Sequence, residues 1–204
     1  MKLLKVRKEF IQAIKTNQPA FDLELSAESI ERLADYYDLV MEHNALLHLV
    51  APCPTEEFVI RHILESLTLL EYLPAGAKFA DVGTGAGLPS IPCLLVREDL
   101  KALLIESKEK KAKFLEHTVS TLGLSQRTEI AARQFQEVDP ADCEFVTCRA
   151  LDKFTEKLQR LLKWSEKRKI LFFGGEKLKR ELQNKNLRAD QKLMPMSEQR
   201  FLII

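Results

Sequence analysis

Three glycines stand at alternate positions in Asp81-Val82-Gly83-Thr84-Gly85-Ala86-Gly87-Leu88. Lacking a Cβ, glycines let a backbone turn sharply out of a strand and come close to a ligand. A dinucleotide-binding turn reads Gly-x-Gly-x-x-Gly and aims a pyrophosphate at a helix N-terminus. The spacing here is Gly-x-Gly-x-Gly, with the acidic Asp81 at the strand end, which suits a nucleoside-like ligand without phosphate. Taken alone, the loop is equally readable as a structural strand-to-helix connection.

A second chemical position follows about 20 residues later, at the distance where nucleotide-binding folds carry a ribose-binding acid. Glu106 closes the apolar run Ala102-Leu103-Leu104-Ile105, and a carboxylate there can accept both hydroxyls of an adenosine ribose. On its own it is an exposed strand-end acid. Together the two elements point to S-adenosyl-L-methionine (SAM) and to a methyltransferase. Other chemistries find little support. Cys53, Cys93, Cys143 and Cys148 are irregularly spaced, with no Cys-x-x-Cys pair, and His43, His48, His62 and His117 form no ligand pattern, so no metal site is expected. No Asn/Asp-Pro-Pro-Tyr/Phe signature for amine methylation is present.

The elements that must position these residues follow from periodicity. Leu3, Leu4, Phe10, Ile11 and Ile14 recur with helical spacing, and Ser26 is a good N-cap for a second helix carrying Ile30, Leu33, Tyr37, Val40 and Met41. A third helical stretch spans Glu56 to Tyr72 and stops at Leu73-Pro74-Ala75-Gly76. Residues 1–75 thus read as an N-terminal helical cap, and 76–204 as the SAM-binding domain, one compact unit. In that domain strands are expected at Lys78–Val82, Ala102–Glu106, Thr128–Ala132, Phe145–Cys148 and Ile170–Phe173. Helices are expected at 88–97, 108–122, 152–164 and 176–184, with Gly123 as a C-cap. Leu187–Leu193 and Arg200–Ile204 read as a closing antiparallel hairpin. The fold class is α/β: a Rossmann-like class I SAM-dependent methyltransferase with a mostly parallel seven-stranded sheet.

The chain has 204 residues, enough for one well-cored domain with a small extension. It shows no run of about 20 apolar residues and no signal-peptide core, so a soluble cytoplasmic protein is expected, without a membrane. Net charge is only +1, but residues 1–148 carry a net −7 and residues 149–204 a net +8. Such asymmetry fits a basic face for a polyanion, and ordinary solvated helix faces equally.

Arg61-His62-Ile63-Leu64-Glu65-Ser66-Leu67, the glycine loop continued as Leu88-Pro89-Ser90-Ile91-Pro92, and Cys148-Arg149-Ala150 closely resemble the RsmG (GidB) family from about Asn44 to the C-terminus. That resemblance implies methylation of guanine N7 in 16S ribosomal RNA, free or in the 30S particle; a monomer is expected. It implies SAM contacts from Gly83, Leu88 and Arg149, a ribose-binding turn at Glu106, Ser107 and Lys108, and an adenine-flanking loop at Gln134 and Phe135. With Asp81, Gly85 and Gly87 these complete the expected cofactor set. Phe135 either stacks on adenine or belongs to the core. Arg61 and His62 either line the RNA side of the pocket or cap strand edges. Lys153 and Lys177 are RNA-contact candidates within a basic set that includes Lys157, Arg160, Lys163, Lys179 and Arg180. Because N7 of neutral guanine carries a free lone pair, no catalytic base is expected. Two departures stand out: Phe173-Gly174-Gly175 replaces the family's Lys-Gly, and Glu144 an Asp. A small-molecule methyltransferase and a non-catalytic SAM- or RNA-binding protein remain open as alternatives; a nicotinamide oxidoreductase is disfavoured by the glycine spacing.

Overall fold

In the computed structural model, which describes residues 2–140, 142–149, 154–166, 168–187 and 189–204, seven short strands form one sheet. They are β1 (Lys78–Val82), β2 (Lys101–Ile105), β3 (Thr128–Ala131), β4 (Phe145–Cys148), β5 (Lys169–Gly175), β6 (Gln191–Leu193) and β7 (Arg200–Ile203). Their order is β3-β2-β1-β4-β5-β7-β6, with only β7 antiparallel to its neighbours. This is the Rossmann-like methyltransferase arrangement with a C-terminal antiparallel hairpin. The chain winds outward from β1 to β3, then returns to the other side of β1, so β1 and β4 flank the switch point where such sheets bind ligands.

Period-two alternation assigns each strand residue to a face. Phe79, Leu104, Phe145, Leu171, Phe173 and Leu202 pack into a core shared with Phe10, Ile14, Ile30, Leu33, Tyr37, Val40, Ile63, Leu64 and Leu67 of the N-terminal helices. Ala80, Val82, Leu103, Ile105, Val146, Phe172 and Ile203 face the opposite way, onto Leu158 and Leu161 of the Phe154–Ser165 helix and Leu178 and Leu182 of the Glu176–Asn184 helix. The N-terminal helices therefore form one layer of the same core.

Local signals explain the element ends. Ser26 Oγ accepts from the Ser29 amide at 3.0 Å and starts the Ala27–Leu47 helix. Gly123, at φ +68°, ends the Glu109–Thr121 helix, and the Leu124 amide reaches back to the Val119 carbonyl at 2.8 Å. Residues 55–72 are helical throughout, but Val59–Leu64 is a π-turn, holding an extra residue, and Thr68–Tyr72 is a 3₁₀ turn.

Three expectations need correction. The expected strand does not begin at Leu187, whose amide turns back to the Leu182 carbonyl at 3.1 Å and whose side chain is exposed; pairing starts at Asp190, which exchanges backbone hydrogen bonds with Ile204 at 3.1 and 2.9 Å. Gly174 and Gly175 do not follow β5 but belong to it, pairing with Phe201 and Arg200. Glu106 falls just beyond β2, with its amide still donating to the Ala131 carbonyl of β3 at 3.1 Å. Among the described residues no helix is long and apolar enough to cross a membrane.

Gly87 illustrates how tightly the first loop is packed. At φ +94°, a Cβ there would sit 2.3 Å from Ile91 Cδ1 and 3.3 Å from Leu115 Cδ2. Gly87→Ala is expected to cost about 2–4 kcal/mol through overpacking and backbone strain. Gly123→Ala, at φ +68° with nothing within 4 Å, is expected to cost about 1 kcal/mol. Denaturant midpoints of the two variants measure the difference, and equal costs would refute the packing argument.

Candidate functional site

The glycine loop leaves β1 held from three sides. The Gly83 and Thr84 amides donate to the Ile105 carbonyl at 2.8 and 3.3 Å, tying the loop to the end of β2. Below it, Asp81 Oδ2 accepts from Thr84 Oγ1 at 2.7 Å and Ser90 Oγ at 2.6 Å. Above it, the buried Tyr36 hydroxyl donates to the Ala86 carbonyl at 3.0 Å, so the Ala27–Leu47 helix clasps the loop directly. Gly83 and Gly85 adopt φ of +71° and +59°, which favours glycine.

Beside the loop lies a cavity of about 590 Å³, within the size range of small-molecule sites. Gly83, Gly85, Leu88, Glu106, Ser107, Lys108, Gln134, Arg149 and His62 all line it, bringing together nine of the positions singled out in the sequence. A Cβ at position 85 would meet nothing nearer than the Gly83 carbonyl oxygen at 3.9 Å, so this glycine faces open space. Glu106 is 6% exposed; its Oε2 accepts from the Gly85 amide at 3.1 Å and its Oε1 from the Lys108 amide at 2.8 Å. A carboxylate offers about four lone-pair sites, so the two backbone bonds orient it and leave capacity for two further donors. That is what a vicinal diol presents.

Other positions take different work. Asp81 is fully buried and braces the loop instead of facing the cavity; burial pushes its carboxyl up to about 7 despite its hydroxyl donors. Its Oδ1 is buried with no partner. Gly87 makes room for Ile91, and Phe135 is buried edge-on against Trp164, 5.6 Å between ring centres, in the core role. Arg61 pairs with Glu57 at 2.6 Å, and Lys177 lies exposed outside the cavity. Lys153 lies outside the described residues. Sequence reasoning missed Leu49, Val50 and Ala51, which line the cavity after the Ala27–Leu47 helix. Their signal is Asn44, whose Oδ1 accepts from the Val50 amide at 2.9 Å, next to His48 in the left-handed region. Lys111 was also missed; it lines the cavity and donates to the His48 carbonyl at 3.1 Å.

Glu65 organises the opposite wall. Its carboxylate, 2% exposed, accepts from Arg200 Nε at 2.6 Å and lies 3.3 Å from Arg149 Nη2. Arg149 also donates to Ser66 Oγ at 3.0 Å and to the Arg61 carbonyl, with its guanidinium 5.5 Å from the ring centre of Phe173. Where the family resemblance led to a lysine, Phe173 thus supplies an aromatic bed for this arginine. Burial, then the charges of Arg149, Arg61 and Arg200, push His62 down to about 3. Its Nδ1 is buried without a partner, and its ring meets Phe58 edge-on at 5.0 Å; it caps no strand. Among the described residues no three His, Cys, Asp or Glu side chains are grouped to hold a metal ion.

Comparison with known proteins adds the following. Residues 29–199 match the family model described as rRNA small subunit methyltransferase G (GidB). The ribosomal RNA small subunit methyltransferase G of Halorhodospira halophila is 39% identical over 63% of this chain and 61% of its own length. That of Neisseria meningitidis serogroup C is 31% identical over 71% and 70%. The chain spans between half and two thirds of the length of the first such relatives. Among solved structures, the N-terminal domain of human METTL16 matches with a TM-score of 0.58, at 13% identity over 95% of this chain and 91% of its own. A SAM-dependent methyltransferase from Aquifex aeolicus matches at 0.56, with 18% identity over 72% and 90%. At these identities the structures speak for the fold alone.

Two outcomes follow from the charged wall. The unfolded chain protonates His62 near 6.5 and the folded one only near 3, so between these values the unfolded state binds the extra proton and stability falls as pH falls. The His62 imidazole is expected to stay neutral at pH 5 in side-chain ¹⁵N NMR, and His62→Gln to flatten that part of the stability profile; a charged ring at pH 5 would refute this. Glu65→Ala, which leaves Arg149 and Arg200 facing each other, is expected to cost about 3 kcal/mol in a denaturant titration.

Proposed function

The chain belongs to the rRNA small subunit methyltransferase G (GidB) family, and on that premise we propose that it transfers a methyl group from SAM to N7 of a guanine in 16S ribosomal RNA. The observation that carries this reading is the cavity at the β1/β4 switch point, where Gly83, the open Gly85 and an oriented carboxylate line the same space. That donor set fits SAM. Glu106 would take the two ribose hydroxyls, Gly83 and Gly85 would admit the backbone-close part of the molecule, and Gln134 would flank the adenine. Arg149, fixed by Glu65 and Ser66, would face the cofactor's charged end.

Bound SAM supplies an electrophilic methyl group on a sulfonium. The chain's own contribution is to hold the acceptor in line and keep water out, because guanine N7 already presents a lone pair and no proton has to leave. His62 agrees with that economy: held neutral and pushed far below the usual imidazole range, it presents a neutral edge to the cavity instead of a second positive charge. Lys108, Lys111 and Lys157, also in the cavity wall, would meet the RNA phosphates around the target base. The reading requires neither a metal nor a second copy of the chain, and it places the protein with ribosomal particles in the cytoplasm.

Incubation with methyl-labelled SAM and either small subunits or naked small-subunit RNA, from cells lacking the modification, should label a single guanine at N7. No labelled guanine in either substrate would sink the reading. Glu106→Ala should weaken SAM binding by about 1–3 kcal/mol in calorimetry, through lost charge-assisted hydrogen bonds. Unchanged affinity would place the cofactor elsewhere.

A further inference from the structure

A second hollow, of about 520 Å³, lies on the far side of the Phe135–Glu137 turn from the first: Gln134 lines one and Gln136 the other. One flank of the Phe154–Ser165 helix joins them. Lys157 stands in the wall of the first cavity, and Arg160 and Lys163, each three residues further on, stand in the wall of the second. At 1.5 Å rise per residue this basic stripe is about 9 Å long. Arg160 and Lys163 are exposed, whereas a third cation of this hollow, Arg168, is half-buried and donates to the Cys143 carbonyl at 2.9 Å. Behind the exposed pair are Trp164, Val138 and Pro140. The indole N–H is already donated to the Val138 carbonyl at 2.7 Å, so Trp164 offers the hollow ring surface and not a donor. Glu166 at the same hollow adds a carboxylate, an acceptor that amino groups of bases seek.

Cations that track a backbone beside an aromatic surface are how proteins hold single-stranded nucleic acid. We propose that this second cavity binds a nucleotide of the substrate RNA strand, within about three nucleotides of the methylated base at 3.4 Å per nucleotide. Its phosphates lie on Arg160 and Lys163 and its base against Trp164. The inference rests on the ribosomal RNA reading and adds to it a surface outside the methyl-transfer cavity. The net +8 of residues 149–204 is then in part the charge of this track.

The chain has a single tryptophan, so its emission reports on this hollow directly. Titration of the protein with naked small-subunit RNA should quench Trp164 in a salt-dependent manner, whereas SAM alone should leave the emission nearly unchanged. The Arg160→Gln/Lys163→Gln variant, altered only at exposed positions, should bind that RNA about tenfold more weakly. Its log–log salt slope should be smaller by about 1.5, with SAM affinity unchanged. If the wild-type protein methylates the RNA but its tryptophan does not respond, or the variant binds with the same affinity and slope, the inference is overturned and the methyltransferase reading stands. If the wild-type protein neither methylates nor binds the RNA, both fall.

Discussion

A carboxylate at 2% exposure is costly to bury unless opposite charge meets it at close range. Glu65 meets that condition only when three parts of the chain are together: its own helix, Arg149 just after β4, and Arg200 at the start of β7. The C-terminal hairpin and the N-terminal cap, far apart in sequence, are thereby tied to the strand at the switch point. The same contact sets the electrostatics of the cavity wall. Arg149 is directed by Glu65, Ser66 and the Arg61 carbonyl and bedded on Phe173, and burial, reinforced by the arginines around Glu65, holds His62 neutral. The departure at Phe173 is thus an aromatic contact to the guanidinium.

The glycine loop depends on a similar convergence. Asp81 grips it from beneath through Thr84 and Ser90, Glu106 reaches the Gly85 amide from β2, and Tyr36 takes the Ala86 carbonyl from the cap. Cap residues fill the same core as β1, β2 and β5. The helical extension is therefore part of what shapes the binding loop.

Much of this was legible in the sequence because it is local. Ser26, Gly123, the alternate glycines and the strand-end Glu106 each act within a few residues of themselves, and period-two and period-3.6 patterns located nearly every element. What was not legible is what depends on distance. Asp81 reads as a ligand contact until its hydroxyl partners fill the space around it. Phe135 could stack on a ligand or on a side chain, and only the presence of Trp164, 29 positions on, decides for the core. The closing hairpin was expected from Leu187, but the nearer carbonyl of Leu182 claims that amide, and pairing with the C-terminal segment begins only at Asp190. Pairing of Glu65 with two arginines 84 and 135 residues away has no local signature at all.

The π-turn at Val59–Leu64 sets a phase between two halves of the molecule. Each residue of an α-helix advances the face by about 100°, so one residue more in this turn rotates everything before it relative to everything after it. Phe58, which meets Phe10 and Tyr37 of the cap, and Glu65, which meets the sheet, are kept in register by that single extra residue. Caps exchanged between related chains would consequently have to be joined outside residues 55–72, since a seam that gained or lost one position there would turn one half away from its partner.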